Sequence, residues 1–144
     1  MMAIDQLTSN QFFSQLYSHT DVTKDPHSAG RQMNCHFATR MLNDSGEWKT
    51  LTDIKNSTSD ISCVAGQMPR LIGLAYASKL YRNNSNLSNN QNFSINGNEV
   101  AFGTIGDAGT SEGHFWEAMN AAGVLQIPLA VSYTHLTLPT ILLV

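Results

Sequence analysis

The sequence predicts an α/β fold with a parallel sheet and flanking helices. Three observations carry this. Residues 99–105, Glu-Val-Ala-Phe-Gly-Thr-Ile, have the β-branched and aromatic content of a strand. A glycine-rich turn, Gly106-Asp107-Ala108-Gly109, then opens a helical segment through about Ala122, with Gly123 placed as its C-terminal cap. Residues 127–131, entered through Pro128, read as a second strand. Strand, turn, helix and strand make one βαβ unit, and such a unit belongs to a parallel sheet.

The other elements follow in chain order. Residues 4–18 place Ile4, Leu7, Phe12, Phe13, Leu16 and Tyr17 near helical spacing, with Thr8, Ser9 and Asn10 as an interruption or cap. Residues 19–61 hold turn signals at Asp25-Pro26, Ala29-Gly30 and Ser45-Gly46 and little periodicity. So long an irregular stretch reads as a functional loop region or a segment that packs on a partner. Residues 67–82 are the clearest helix, with Pro69 in the first turn and Arg82 at the end that favours a cation. Its apolar and small residues, from Leu71 to Leu80, predict a broad packing surface. Residues 83–98 contain eight asparagines and form a solvated loop that ends in the turn dipeptide Asn96-Gly97.

Composition excludes several classes. The chain has 144 residues, a net charge of -3 and only 13% charged residues, about half the ~25% of an ordinary domain. Ser, Thr, Asn and Gln, 46 residues in all, fill the deficit. Without a basic excess, a nucleic-acid partner held by phosphate contacts is not expected. No apolar run reaches the ~20 residues of a membrane span. Cys35 and Cys63 are too few for a disulfide scaffold, and as free thiols they suit a reducing, cytoplasmic compartment. The first residues carry no basic and apolar leader pattern.

The chemistry concentrates at the turn. The first N–H groups of a helix have no partner inside it, and the helix dipole favours an anion there. Gly106, Ala108 and Gly109 keep the main chain bare, so a phosphate can approach. Asp107 stands where a carboxylate could hold magnesium against that phosphate, since magnesium takes a few hard oxygens plus phosphate oxygens. From local pattern alone, the turn also reads as an ordinary tight connection, with Thr110 or Ser111 as N-cap and Glu112 in the first turn. Its spacing matches neither the P-loop nor the dinucleotide fingerprint.

Residues 106–125, Gly-Asp-Ala-Gly-Thr-Ser-Glu-Gly-His-Phe-Trp-Glu-Ala-Met-Asn-Ala-Ala-Gly-Val-Leu, resemble the first half of the thiamine-diphosphate motif. More narrowly, they are similar to the α-type half of the decarboxylating component of 2-oxo acid dehydrogenase complexes. Two further segments agree in order. Gly30-Arg31-Gln32-Met33-Asn34-Cys35-His36-Phe37 resembles the family's Gly-Arg-x-Met-Pro-x-His loop. Ser62-Cys63-Val64-Ala65-Gly66-Gln67-Met68-Pro69 resembles its Ser-Pro-Leu-Ala-Thr-Gln-x-Pro segment, which leads into an Ala-rich helix. With Asp60-Ile61-Ser62 upstream, the form is closest to bacterial versions that fuse the α- and β-type halves, acting on branched-chain 2-oxo acids or pyruvate. Ala108 stands where the family usually has Gly, and Cys63 and Gly66 replace its Pro and Thr, which weakens any inference of a potassium site.

The resemblance implies oxidative decarboxylation of a 2-oxo acid, with the acyl fragment passed to a lipoyl arm. It implies thiamine diphosphate and magnesium as cofactors. Asp107 would be the metal ligand, and Gly106, Ala108 and Gly109 would cradle the diphosphate. Ser62 and Val64 would lie against the aminopyrimidine. His36 would be the substrate-facing acid, base or charge-stabilising group. Arg31 would contact a cofactor phosphate or substrate carboxylate, or form a structural salt bridge. His114 reads as structural, and Met33, Phe37 and Trp116 read as packing residues. The implied partners are a β-type half fused downstream, a lipoyl-bearing acyltransferase and further copies of the parent.

The end of the chain departs from the family. Residues 132–144, Ser-Tyr-Thr-His-Leu-Thr-Leu-Pro-Thr-Ile-Leu-Leu-Val, lack the Asn-Asn or Asp-Asp with Gly-Tyr that completes the metal site in relatives. They resemble translated adapter readthrough at the ends of metagenomic reading frames. The expected division is therefore residues 1–131, an N-terminal fragment of a cofactor domain, and 132–144, a non-native tail. The fragment is expected to be inactive alone. The alternative is a small non-catalytic anion-binding or interaction module that uses the same turn.

Overall fold

A computed structural model describes residues 1–32, 36–59, 61–87 and 90–134. The chain divides into two compact units, Met1–Asp60 and Ile61–Val144.

In the first unit, the apolar periodicity begins at a true cap. Thr8 Oγ1 accepts the Gln11 N–H at 3.2 Å, and Gln11 Oε1 accepts the Thr8 N–H at 2.9 Å. This reciprocal box starts helix α1, Ser9–Leu16, and separates it from a single 3₁₀ turn at Met2–Ile4. The expected helix over 4–18 is therefore broken before Ser9, with Thr8 as the cap and Ser9 and Asn10 already helical. Beyond α1 the unit is held by turns. Leu42 and Trp48 pair as an antiparallel bridge, and Thr39 and Ser57 exchange main-chain and hydroxyl bonds.

The second unit is built on helix α2, Gln67–Asn83. Met68, Leu71, Ala75 and Ser78 are its buried residues, and their spacing of three and four puts them on one face. The broad surface expected from the sequence narrows to this stripe, because Leu74 and Leu80 are 43% and 42% exposed. Strand β1, Ala101–Ile105, and strand β2, Leu129–Tyr133, pair in parallel, with Ala101 opposite Leu129 and Ile105 opposite Tyr133. The core joins Ala65, Met68, Leu71, Ile105, Phe115 and Ala118.

Several boundaries differ from the sequence reading. Strand β1 starts at Ala101 rather than Glu99, and β2 ends at Tyr133 rather than Val131. Three other differences have a local reason. The single helix after the turn becomes a four-residue turn of helix, α3, Asp107–Thr110, and helix α4, Gly113–Leu125. Thr110 Oγ1 donates to the Asp107 carbonyl at 2.8 Å, and Glu112 is extended at ψ 135°. A side chain that bonds back to the main chain in this way competes with helix continuation. Helix α4 runs through Gly123 and stops at Gln126, which takes the left-handed conformation; Lys79 Nζ donates to the Leu125 carbonyl at 2.5 Å. The second strand starts two residues late, because Pro128 has no N–H to give the ladder; its carbonyl instead accepts the Ala101 N–H at 3.1 Å. Ser132 and Tyr133, from the adapter-like segment, pair with Thr104 and Ile105. The rest of that segment, 135–144, lies outside the described residues.

Candidate functional site

Strand β1 delivers the turn at its C-terminal end. Gly106 is extended and half-buried, Asp107 and Ala108 are exposed, and Gly109 is buried. Asp107 is the first residue of α3, so its carboxylate and the following N–H groups face the same end of the element. Asp107 Oδ1 accepts the Tyr133 hydroxyl at 2.9 Å. That bond to the carboxylate pushes the Tyr133 phenol above its ordinary value.

A second segment closes on the turn. Residues 62–66 precede α2, and their main chain is tied to α4, because His114 Nε2 lies 2.8 Å from the Val64 carbonyl. Gln67 Nε2 donates to the Thr104 carbonyl at 3.3 Å. A β-carbon on Gly109 would stand 3.6 Å from Ala65 Cβ. Ser62 and Val64, separated from the turn by some forty positions in the chain, thus share one unit with Gly106, Asp107, Ala108 and Gly109, and their neighbours Ala65 and Ile105 share its core. Ser62, Cys63 and Val64 are exposed, and Ala65 is buried in the left-handed region at φ 59°. At Gly66 a β-carbon would stand 3.0 Å from the Cys63 carbonyl oxygen and Ile61 Cγ2, so this loop conformation leaves little room for the Thr expected there.

Arg31 and His36 belong to the first unit, and both are exposed. The loop before Arg31 is organised by Asp25, which is 1% exposed. Its Oδ1 accepts the N–H groups of His27 at 3.2 Å and Ser28 at 3.1 Å; its Oδ2 accepts the Ser28 hydroxyl at 2.6 Å and the Gly30 N–H at 3.0 Å. Burial raises the Asp25 carboxyl, but these hydrogen bonds outweigh it and hold the group below its ordinary value. Gly30 is required here, at φ +78° and with a β-carbon that would fall 2.6 Å from the Ser18 carbonyl oxygen. An open cavity of about 270 Å³ lies beside this loop, with His27, Arg31 and Gln32 in its wall. No ion pair of Arg31 occurs among the described residues. Phe37 packs edge-on to His27 at 5.0 Å, as a packing residue should. Met33, Asn34 and Cys35 of the same loop lie outside the described residues.

One expectation changes. Trp116 is 62% exposed and not a core residue, though its ring meets Phe115 edge-on at 5.0 Å. His114 has the structural role expected of it, and its partner is the Val64 carbonyl. Neither that tie nor the Tyr133–Asp107 bond had a signal in the sequence, because both join residues far apart in the chain.

The donor chemistry of the turn fits an anion with a hard cation. A bare helix start and one exposed carboxylate suit phosphate oxygens and magnesium, which needs only one or two protein carboxylates beside phosphate. Among the described residues no three His, Cys, Asp or Glu side chains gather where they could hold a metal ion by themselves. No helix among them is long and apolar enough to cross a membrane.

These features define an α/β unit with a glycine-rich turn at the C-terminal end of its first strand. The family model for the dehydrogenase E1 component matches residues 2–134, and the chain belongs to that family. It is similar to the 2-oxoisovalerate dehydrogenase subunit alpha 2, mitochondrial, of Arabidopsis thaliana, at 27% identity over 122 residues. That match covers 85% of this chain but only 19% of the relative's length. No solved structure matches the chain.

Proposed function

We propose that this chain is part of the thiamine-diphosphate-dependent decarboxylating component of a 2-oxo acid dehydrogenase complex, of the branched-chain type. The observation that carries the reading is the juxtaposition of residues 62–66 with the turn 106–109: a β-carbon on Gly109 would stand 3.6 Å from Ala65 Cβ, and His114, on the helix after the turn, lies 2.8 Å from the Val64 carbonyl. These are the two segments that the family resemblance assigns to opposite ends of one cofactor.

In this reading the N–H groups at the start of α3, around Gly106, Ala108 and Gly109, bind the diphosphate, and Asp107 ligates magnesium. Ser62 and Val64 hold the aminopyrimidine side. Arg31 contributes positive charge toward a phosphate or substrate carboxylate. His36 holds or moves a proton at the substrate, a task suited to imidazole near neutral pH. Thiamine diphosphate, when bound, supplies the nucleophilic carbon and electron sink that decarboxylation needs. The remaining metal ligands and the rest of the pocket come from parts of the parent beyond this segment, including a β-type half. A lipoyl-bearing acyltransferase takes the acyl group.

The chain alone should therefore bind the cofactor weakly and turn nothing over. Calorimetric titration with thiamine diphosphate is expected to show saturable, magnesium-dependent binding. An assay for carbon dioxide release from 2-oxoisovalerate and from pyruvate is expected to stay at background. Absence of binding would overturn the cofactor reading, and robust turnover would overturn the reading of an incomplete site.

A further inference from the structure

Residues 62–66 are secured unevenly. Their C-terminal side is fastened by the Gly66 N–H to the Cys63 carbonyl at 2.9 Å, the Met68 N–H to the Ala65 carbonyl at 3.0 Å, and burial of Ala65 and Met68 in the core. Val64 has no such packing, since it is 52% exposed. What ties its main chain to another element is the ring of His114. The next residue, Ala65, sits at φ 59°, where an alanine stays only if its surroundings hold it. A carbonyl only accepts, so His114 Nε2 carries the proton of this bond.

We propose that His114 is a positioning residue, whose Nε2–H fixes the Val64 carbonyl and thereby sets the main chain of residues 62–66 against the turn 106–109. His114 is the second residue of α4, and α4 follows α3 after only two connecting residues. One imidazole therefore couples the segment assigned to the aminopyrimidine with the segment assigned to the diphosphate. The tie does not reach the Asp107 carboxylate or the first N–H groups of α3. Its loss should spare binding of a bare diphosphate and weaken binding of the whole cofactor. The purpose of the tie rests on the cofactor reading above; the tie itself does not.

The test uses the full chain and the variants His114→Ala and His114→Gln, because a glutamine amide N–H can stand near the position of Nε2. Amide hydrogen exchange without any ligand is followed at 61–67 and at 107–113. Magnesium pyrophosphate and magnesium thiamine diphosphate are titrated in parallel. In His114→Ala, exchange at 61–67 should speed up about tenfold, the factor one net hydrogen bond carries, with 107–113 unchanged. Affinity for thiamine diphosphate should fall about tenfold while affinity for pyrophosphate stays within twofold. His114→Gln should restore both. Unchanged exchange at 61–67, or equal loss of both ligands, overturns the proposal. If the wild-type chain binds neither ligand, the cofactor reading fails, and the exchange result still decides whether His114 holds the loop.

Discussion

Gly109 lies so close to Ile105 that a β-carbon on it would stand 2.6 Å from Ile105 Cγ1 and 2.9 Å from Cδ1. The glycine is thus demanded by packing of the turn onto the strand that precedes it. Gly109→Ala should destabilise the second unit by about 1–3 kcal/mol, the usual range for overpacking. Ile105→Val in that background removes the terminal methyl and should recover part of the loss. Urea denaturation of the four members of this cycle checks it, and strict additivity would show that the two residues do not collide.

The Asp25 carboxylate predicts a pH dependence for the first unit. Its folded value is held below the ordinary 3.8. Such a group contributes stability that is fully present above the unfolded value and is lost as pH falls through 3.8 toward the folded one. Asp25→Asn should cost about 2 kcal/mol at neutral pH, since charge-assisted hydrogen bonds to a buried carboxylate are lost. It should also flatten the acid limb of the stability profile. Denaturation between neutral pH and the acid range tests both, and an unchanged acid limb would contradict the role of Asp25.

Tyr133 offers an optical probe of Asp107. The bond to the carboxylate raises the phenol, followed by a smaller effect of burial. The neutral hydroxyl is the donor, so the bond is intact below the ordinary phenol value and is lost as pH rises through the raised one. In an ultraviolet titration, Asp107→Asn should move the Tyr133 transition down toward the ordinary phenol value. An identical titration curve would remove the hydrogen bond from the account.

Lys79 closes the far end of α4. Lys79→Met keeps most of the stem but removes the bond to the Leu125 carbonyl and the favourable charge at a helix C-terminus. A loss of about 1 kcal/mol is expected in urea denaturation, with α2 itself intact by circular dichroism.

These residues also mark where the sequence is legible. Helix α2, strand β1 and the turn at 106–109 were readable, because periodicity, β-branching and glycine content are local properties. The parallel pairing followed from element order. Thr8 was visible as a candidate cap, but its effect of splitting the first helix emerges only from the reciprocal bonds with Gln11. The break between α3 and α4 depends on one hydroxyl turning back to the Asp107 carbonyl. Asp25 looked like half of an Asp-Pro turn, whereas its buried carboxylate gathers N–H groups as far on as Gly30. His114 and Val64 are fifty residues apart, a separation at which no local pattern carries information. The assignment of His36 and Arg31 came from resemblance of their loop, and both stand exposed in the first unit.

The central claim is that the turn after β1 holds a diphosphate and magnesium through its main chain and Asp107. Calorimetric titration of thiamine diphosphate with magnesium, wild type against Asp107→Ala, tests it most directly. The account predicts measurable binding by the wild-type chain and at least a tenfold loss in the variant, the least expected when a charged ligand–ion contact is removed. Wild-type affinity in Asp107→Ala would contradict it.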